Sequence, residues 1–283
     1  MPVGFAAEPA FWQQGFPQIR LFPVDGDEVI IPLLAVVKDL AEVSFSPDGR
    51  ALYGRRPQFP SIGRSPFIKI EFRPLRESVV AGSEVFGPVW HMTMSPSSGK
   101  IFVAGLTLNE ARNEARQCGY FELETGARTI RTIRVPPDGC RKGLGPMSPD
   151  GKRAVGVNGA KAGLLDLETG AFQSVKGLVD AVSCNWSPDG ARFACDQDGR
   201  IVVVDLETLR LRRIGGSGNS APQWSPDGKS LLVLRSQLSC LPTLYGESLA
   251  VVDVETGKRK WVKSAHCSVS GGFWGWVDRD AVQ

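Results

Sequence analysis

CNWSPDG, residues 184–190, sets a thiol, an indole, a hydroxyl and a carboxylate close together, and the reading of its last five residues decides the fold. The pattern returns along the chain as FSPDGR from Phe45, MSPSSGK from Met94, MSPDGK from Met147, WSPDGA from Trp186 and WSPDGK from Trp224. A decayed copy, WVDRDA, begins at Trp276. In Ser-Pro-Asp-Gly the proline presets φ for the second position of a type I turn, aspartate suits the third, and glycine accepts the left-handed conformation that follows. The flanking runs, such as ARFACDQ and SLLVLRS, are short and rich in β-branched and apolar residues, which marks them as strands. A chemical-looking stretch is therefore a hairpin, repeated.

A second motif alternates with the first: FELETGA from Phe121, LDLETGA from Leu165, VDLETLR from Val204 and VDVETGK from Val252. Two turns per unit make each unit a four-stranded antiparallel meander. The SPDG prolines or their counterparts fall at 47, 96, 149, 188, 226 and 278, at intervals of 49, 53, 39, 38 and 52 residues, the length of a propeller blade. IRLFPVDGDEVIIPL at the start supplies two late strands, and GGFWGWVDRDAVQ at the end supplies a first strand and the beginning of a second. Joined, they make one blade and remove the open edges of the first and last units. The expected fold is all-β: a six-bladed β-propeller of four-stranded blades over residues 17–283, its last blade closed by both termini, preceded by an extension over 1–16.

Composition narrows the function. The 283 residues are 42% hydrophobic and 22% charged, which suits a soluble globular chain, and a net charge of +3 is too small to argue for nucleic acid. The longest apolar stretch, Val29 to Val37, is broken by Pro32 and is too short to span a bilayer, so no direct membrane insertion is expected. MPVGFAAEPAFW shows no basic region followed by an apolar core, so either the chain stays inside the cell or its export signal was removed. There is no Gly-x-Ser-x-Gly elbow, phosphate loop or His-Glu-x-x-His, and neither a cofactor nor a metal is expected. Zinc is a poor account of the cysteines, since no Cys-x-x-Cys pair exists and only two histidines are present.

The alternation of WSPDGK and DLETGK-type turns resembles the WD40-like, or PD40, repeats of TolB-type β-propellers. The IRLFPVDG opening is similar to sensor propellers attached to bacterial serine/threonine kinases. The resemblance implies the propeller fold and a position outside the cytoplasm, periplasmic or extracellular, with the cytoplasm as the alternative. It leaves activity open, because such propellers serve as scaffolds, as lids on peptidases and as sensors.

Strand parity locates a working face. SPDG and ETG turns leave a blade at one end, while second-to-third loops and inter-blade connections leave at the other. From the SPDG proline to the Glu of ETG, blades three and four use 19 residues each, whereas blades two and five use 28 and 29. The added residues fall in second-to-third loops, Thr107 to Cys118 and Ser236 to Glu247, and blade one adds Arg56 to Ser65 at the same end. Insertions confined to one face mark a binding face.

The candidate site residues follow from that face. Arg55, Arg56, Arg64, Arg112, Arg116, Arg141 and Lys142 form a basic arc suited to an acidic protein partner, with Phe59, Leu241 and Tyr245 as anchors and His266 beside them. A small-molecule ligand remains open. By position, disulfides are expected for Cys118 with Cys140, Cys240 with Cys267 and Cys184 with Cys195. Each would contribute about 3 kcal/mol by the loop-entropy argument and suits an oxidising compartment. The expected function is a non-catalytic scaffold, which also fits a sensor segment of a larger receptor. The alternative is a propeller hydrolase or lyase with its site in the central channel, drawing on His91 or on carboxylates such as Glu42, Asp180 and Asp278.

Overall fold

The structure is a computed structural model; it describes residues 2–7, 18–22, 29–32, 41–55, 66–96, 98–108, 115–124, 129–136, 144–158, 161–217, 220–240, 244–267 and 273–278. The chain divides into two compact units, Asp39–Val179 and Met1–Lys38 with Asp180–Gln283. All sheet pairing runs antiparallel between neighbouring strands, as the alternating turn motifs require.

The unit Asp39–Val179 holds three sheets. The first contains Ala41–Phe45, Ala51–Arg55, Phe67–Phe72 and Leu75–Val79, here β4 to β7. The second contains Phe86–Met94, Lys100–Leu108, Ala115–Glu124 and Thr129–Arg134, β8 to β11. The third contains Arg153–Asn158, Lys161–Asp166 and Phe172–Val179, β12 to β14. The other unit holds Val182–Trp186, Arg192–Gln197, Arg200–Asp205 and Leu211–Ser217 (β15 to β18), and Ser220–Trp224, Ser230–Cys240, Leu244–Asp253 and Arg259–Cys267 (β19 to β22). Its third sheet joins Phe273–Asp278 (β23) to Pro2–Ala7 (β1), Gln18–Phe22 (β2) and Val29–Pro32 (β3).

Two expectations change. The described residues show five complete four-stranded blades and not six, because the sheet β12–β14 has three strands. Where its first strand would run, only the bridge between Met147 and Ala154 forms. Pro146 has no N–H to give to a ladder, and a Cβ on Gly145 would lie 1.9 Å from the Val155 carbonyl oxygen, so this stretch approaches its neighbour too closely for ordinary pairing. The second change concerns the extension over 1–16. Pro2–Ala7 within it forms β1 and pairs with β23 from Pro2 opposite Asp278 to Ala7 opposite Phe273, so the missing second strand of the terminal sheet comes from the extreme N-terminus.

The SPDG turns share one hydrogen-bond pattern. Ser187 Oγ donates to Asp189 at 2.6 Å, the Ala191 N–H donates to the same carboxylate at 3.0 Å, and the Arg192 N–H donates to Ser187 Oγ at 2.9 Å. The pattern recurs at Ser46, Ser148 and Ser225. Burial pushes the Asp189 and Asp227 carboxyls up, but the serine hydroxyl and the N–H two residues on outweigh it and hold both below the ordinary range. The ETG turns work through the aspartate that precedes them. Asp166, Asp205 and Asp253 each accept from the N–H and hydroxyl of a threonine three residues on, and these bonds lower their carboxyl pKa values. The signature glutamates Glu168, Glu207 and Glu255 stay exposed.

Side chains then lock neighbouring sheets within each unit. Trp224 Nε1 donates to the Asn185 carbonyl at 3.0 Å, and Trp276 Nε1 donates to the Gln223 carbonyl at 3.0 Å. Each indole thus finds the residue just before the corresponding tryptophan of the preceding sheet. In the opposite sense, Arg134 donates to the Leu167 and Glu168 carbonyls, and Arg212 to those of Val254 and Glu255. Arg192 stacks on Trp224 at 5.2 Å and donates to the Gly228 carbonyl.

Leu209 departs from this economy. It takes φ +52 at the turn position that Gly170 and Gly257 occupy at φ +78 and +68. A side chain there strains the left-handed backbone. Leu209→Gly should leave stability unchanged or raise it by up to about 1 kcal/mol, while Gly257→Ala should lower it by about 1 kcal/mol, both read from denaturant midpoints.

Candidate binding surface

Two of the long second-to-third connections, in the sheets β8–β11 and β19–β22, begin and end as strand. β9 runs to Leu108 and β10 starts at Ala115, so both ends of the expected loop Thr107 to Cys118 are strand. Thr107 Oγ1 donates to the Gln117 carbonyl at 3.3 Å across it. β20 and β21 have 11 and 10 residues, against six each for β16 and β17, and β22 lengthens with them to place His266 opposite Glu247 and Cys267 opposite Gly246. The insertions therefore prolong each of these two blades as paired strands at its own second-to-third end.

Arg55 does not join the exposed arc. It is 6% exposed, and its guanidinium lies over the Phe67 ring at 6.0 Å. A cation held that way packs the blade and is not presented to a partner. Arg116 lies on β10, Tyr245 on β21 and His266 on β22, at the end expected, but their side chains are outside the described residues. Arg56, Phe59, Arg64, Arg112, Arg141, Lys142 and Leu241 lie outside the described residues altogether.

Of the cysteines, Cys184 and Cys195 are bonded at 2.03 Å, as the SPDG hairpin between them predicts. Cys118 is also in a disulfide, and the described residues contain no free cysteine. Cys140 and the side chains of Cys240 and Cys267 lie outside the described residues, so the other two pairings stand as expectations.

The acid and base candidates separate. Asp180 takes φ +46 in the exposed connection into β15, while the side chains of Glu42 and Asp278 are outside the described residues. Asp196, which sequence patterning passes over as an ordinary strand end, sits at the second-to-third turn of its blade. Burial pushes its carboxyl up despite a 2.9 Å hydrogen bond from the Gly199 N–H, and Asp198 adds to the rise. His91 lies on β8 beside Trp90, a bulged residue that is 40% exposed. Burial lowers the His91 imidazole from 6.5 to about 4, which keeps it neutral at pH 7. Among the described residues no group of three or more His, Cys, Asp or Glu gathers to hold a metal ion. No described helix is long and apolar enough to cross a membrane.

No family model and no curated protein matches the sequence. In fold, the chain is similar to a protein assigned as TolB from Agrobacterium tumefaciens, with 14% identity over 98% of this chain and 97% of that one and a TM-score of 0.56. It is also similar to a protein assigned as a 6-phosphogluconolactonase from Bacteroides fragilis, with 15% identity over 98% of each chain and a TM-score of 0.55. An oligogalacturonate lyase from Vibrio parahaemolyticus follows at 12% identity over 88% of this chain and 71% of that one, with a TM-score of 0.51. At such identities the likeness shows the fold alone, an all-β propeller with a TolB-like neighbour.

The half-buried histidine gives a pH test. Because its folded pKa lies below its ordinary value, the unfolded chain binds more protons as pH falls through 6.5, so the stability of the fold drops between pH 6.5 and about 4 and levels off for this group below that. Thermal melts should show the wild type losing more stability than His91→Gln across that window. Parallel curves would contradict the burial of this imidazole.

Proposed function

We propose that the chain is a non-catalytic propeller scaffold that binds an acidic protein partner on its second-to-third strand face. The reading is supported by one observation above the others: blades two and five each prolong their own second and third strands where those strands meet, whereas β12, β13, β16 and β17 stop at six residues. A prolonged hairpin end is suited to presenting side chains to a partner. Arg56, Arg64, Arg112, Arg116, Arg141 and Lys142 would steer an acidic surface there, with Phe59, Leu241, Tyr245 and His266 as central contacts. Arg55 is left out, because it is buried against Phe67.

We place the protein outside the cytoplasm, in the periplasm or the extracellular space. The Cys184–Cys195 bond supports this, since disulfides persist in oxidising compartments.

The quadruple variant Arg56→Ala, Arg64→Ala, Arg112→Ala and Arg116→Ala tests the face. Its affinity for immobilised acidic peptides at low salt should fall by about tenfold or more, with the loss shrinking as salt rises and with no change in melting temperature. Equal affinity of the two proteins would remove the arc as the docking surface.

A further inference from the structure

We propose that Cys184 is a site of mixed-disulfide formation, at which an external thiol enters the Cys184–Cys195 bond and Cys195 is the sulfur released. The two sulfurs differ in access. Cys195 is 0% exposed on β16, a strand paired on both sides, through Asn185–Ala194 and Trp186–Phe193 to β15 and through six residue pairs to β17. Cys184 is half-buried on β15, the edge strand of that sheet.

The chain just before Cys184 is weakly held. Val182 still pairs with Asp196, but the register between β15 and β16 breaks between Val182 and Asn185, so the ladder is interrupted where the sulfur sits. Asp180 and Ser183 both take left-handed backbone, at φ +46 and +48, which side chains other than glycine adopt at a cost. Val182 is 57% exposed and adds little packing. After Cys184 the situation reverses. Asn185 Nδ2 donates to Gln223 Oε1 at 2.8 Å, the Asn185 carbonyl accepts from Trp224, and Trp186 is 4% exposed. Residues 180–184 therefore form a short segment that opens toward solvent while the rest of the strand stays in place.

Two effects compete in the exchange. The buried Cys195 is the poorer leaving group, because its thiolate forms in apolar surroundings, and this favours attack on Cys195 instead. In-line approach to Cys195, however, requires strand β16 to part from a neighbour, whereas approach to Cys184 requires only the strained segment to swing. Access decides. The thiolate of a monothiol such as glutathione forms a bond to Cys184 Sγ as the bond to Cys195 Sγ breaks, and the electron pair leaves on Cys195, which takes a proton from water. A dithiol completes the reduction by a second exchange, becoming oxidised to its own disulfide and releasing Cys184 as a thiol.

The test incubates the native wild-type protein with reduced glutathione, quenches in acid and maps the modified peptides by mass spectrometry, with circular dichroism recorded in parallel. Glutathione should appear on Cys184 in at least about tenfold excess over Cys195 while the spectrum stays native. As a second arm, Cys195→Ser should react at Cys184 with a disulfide reagent, and Cys184→Ser should leave Cys195 at least about tenfold slower. Glutathione on Cys195, equal labelling, or labelling that appears only as the native spectrum is lost would overturn the proposal, and the wild-type mapping decides it even where a variant fails to fold.

Discussion

In the unit Met1–Lys38 with Asp180–Gln283, the contact that fixes one sheet against the next is an indole N–H reaching the backbone carbonyl that precedes the matching tryptophan of the repeat before it. Trp224 reaches Asn185, and Trp276 reaches Gln223. A four-stranded meander alone leaves one apolar face uncovered, and a neighbouring sheet must cover it in a fixed position. The indole does both at once: its body fills the interface and its single donor fixes the offset between sheets. Arg134 and Arg212 act in the other direction, each reaching forward from an outer strand to the carbonyls of the next sheet's turn. These contacts join residues at repeat spacing, so the repeat length in the sequence is also the distance between locks.

The same turns consume most of the aspartates among the described residues. Asp189 and Asp227 are held by serine hydroxyls, and Asp166, Asp205 and Asp253 by threonines. Their lowered pKa values reflect structure, and they keep these carboxylates ionised and occupied well below neutral pH. Asp196 departs from them, with a carboxyl raised by burial at the opposite end of its blade. Within a blade the two ends thus differ: the SPDG and ETG turns satisfy their own carboxylates, and two of the blades prolong their strands at the other end.

The fold was readable where local chemistry alone decides conformation. Pro188, Asp189 and Gly190 specify their turn without reference to anything distant, and Cys184 and Cys195 flank one hairpin, so their pairing followed from strand geometry. Pro2–Ala7 was not readable, because no turn motif joins it to β23 and its pairing depends on residues at the far end of the chain. The three-stranded sheet was hidden because MSPDGK keeps its turn while Gly145 and Pro146 remove the strand before it. Within the candidate site, TLNEARNEARQC and SQLSCLPTLYGE read as loops because polar and small residues obscure the strand alternation, yet the strands run into both stretches from each side. Arg55 looked like its neighbours in the sequence, and only the ring of Phe67 across the sheet distinguishes it.

If the indole bond locks one sheet to the next, removing the N–H while keeping an aromatic body must cost more than the lost ring area. Comparing denaturant unfolding of the wild type with Trp276→Phe, and with Trp276→Phe combined with Trp224→Phe, tests this most directly. Each substitution should cost about 1–3 kcal/mol, because a buried carbonyl loses its donor, and hydrogen exchange should rise at the backbone of Asn185 and Gln223 and their neighbours. Unchanged midpoints and unchanged exchange would show that the sheets are held by apolar packing alone and would contradict the account.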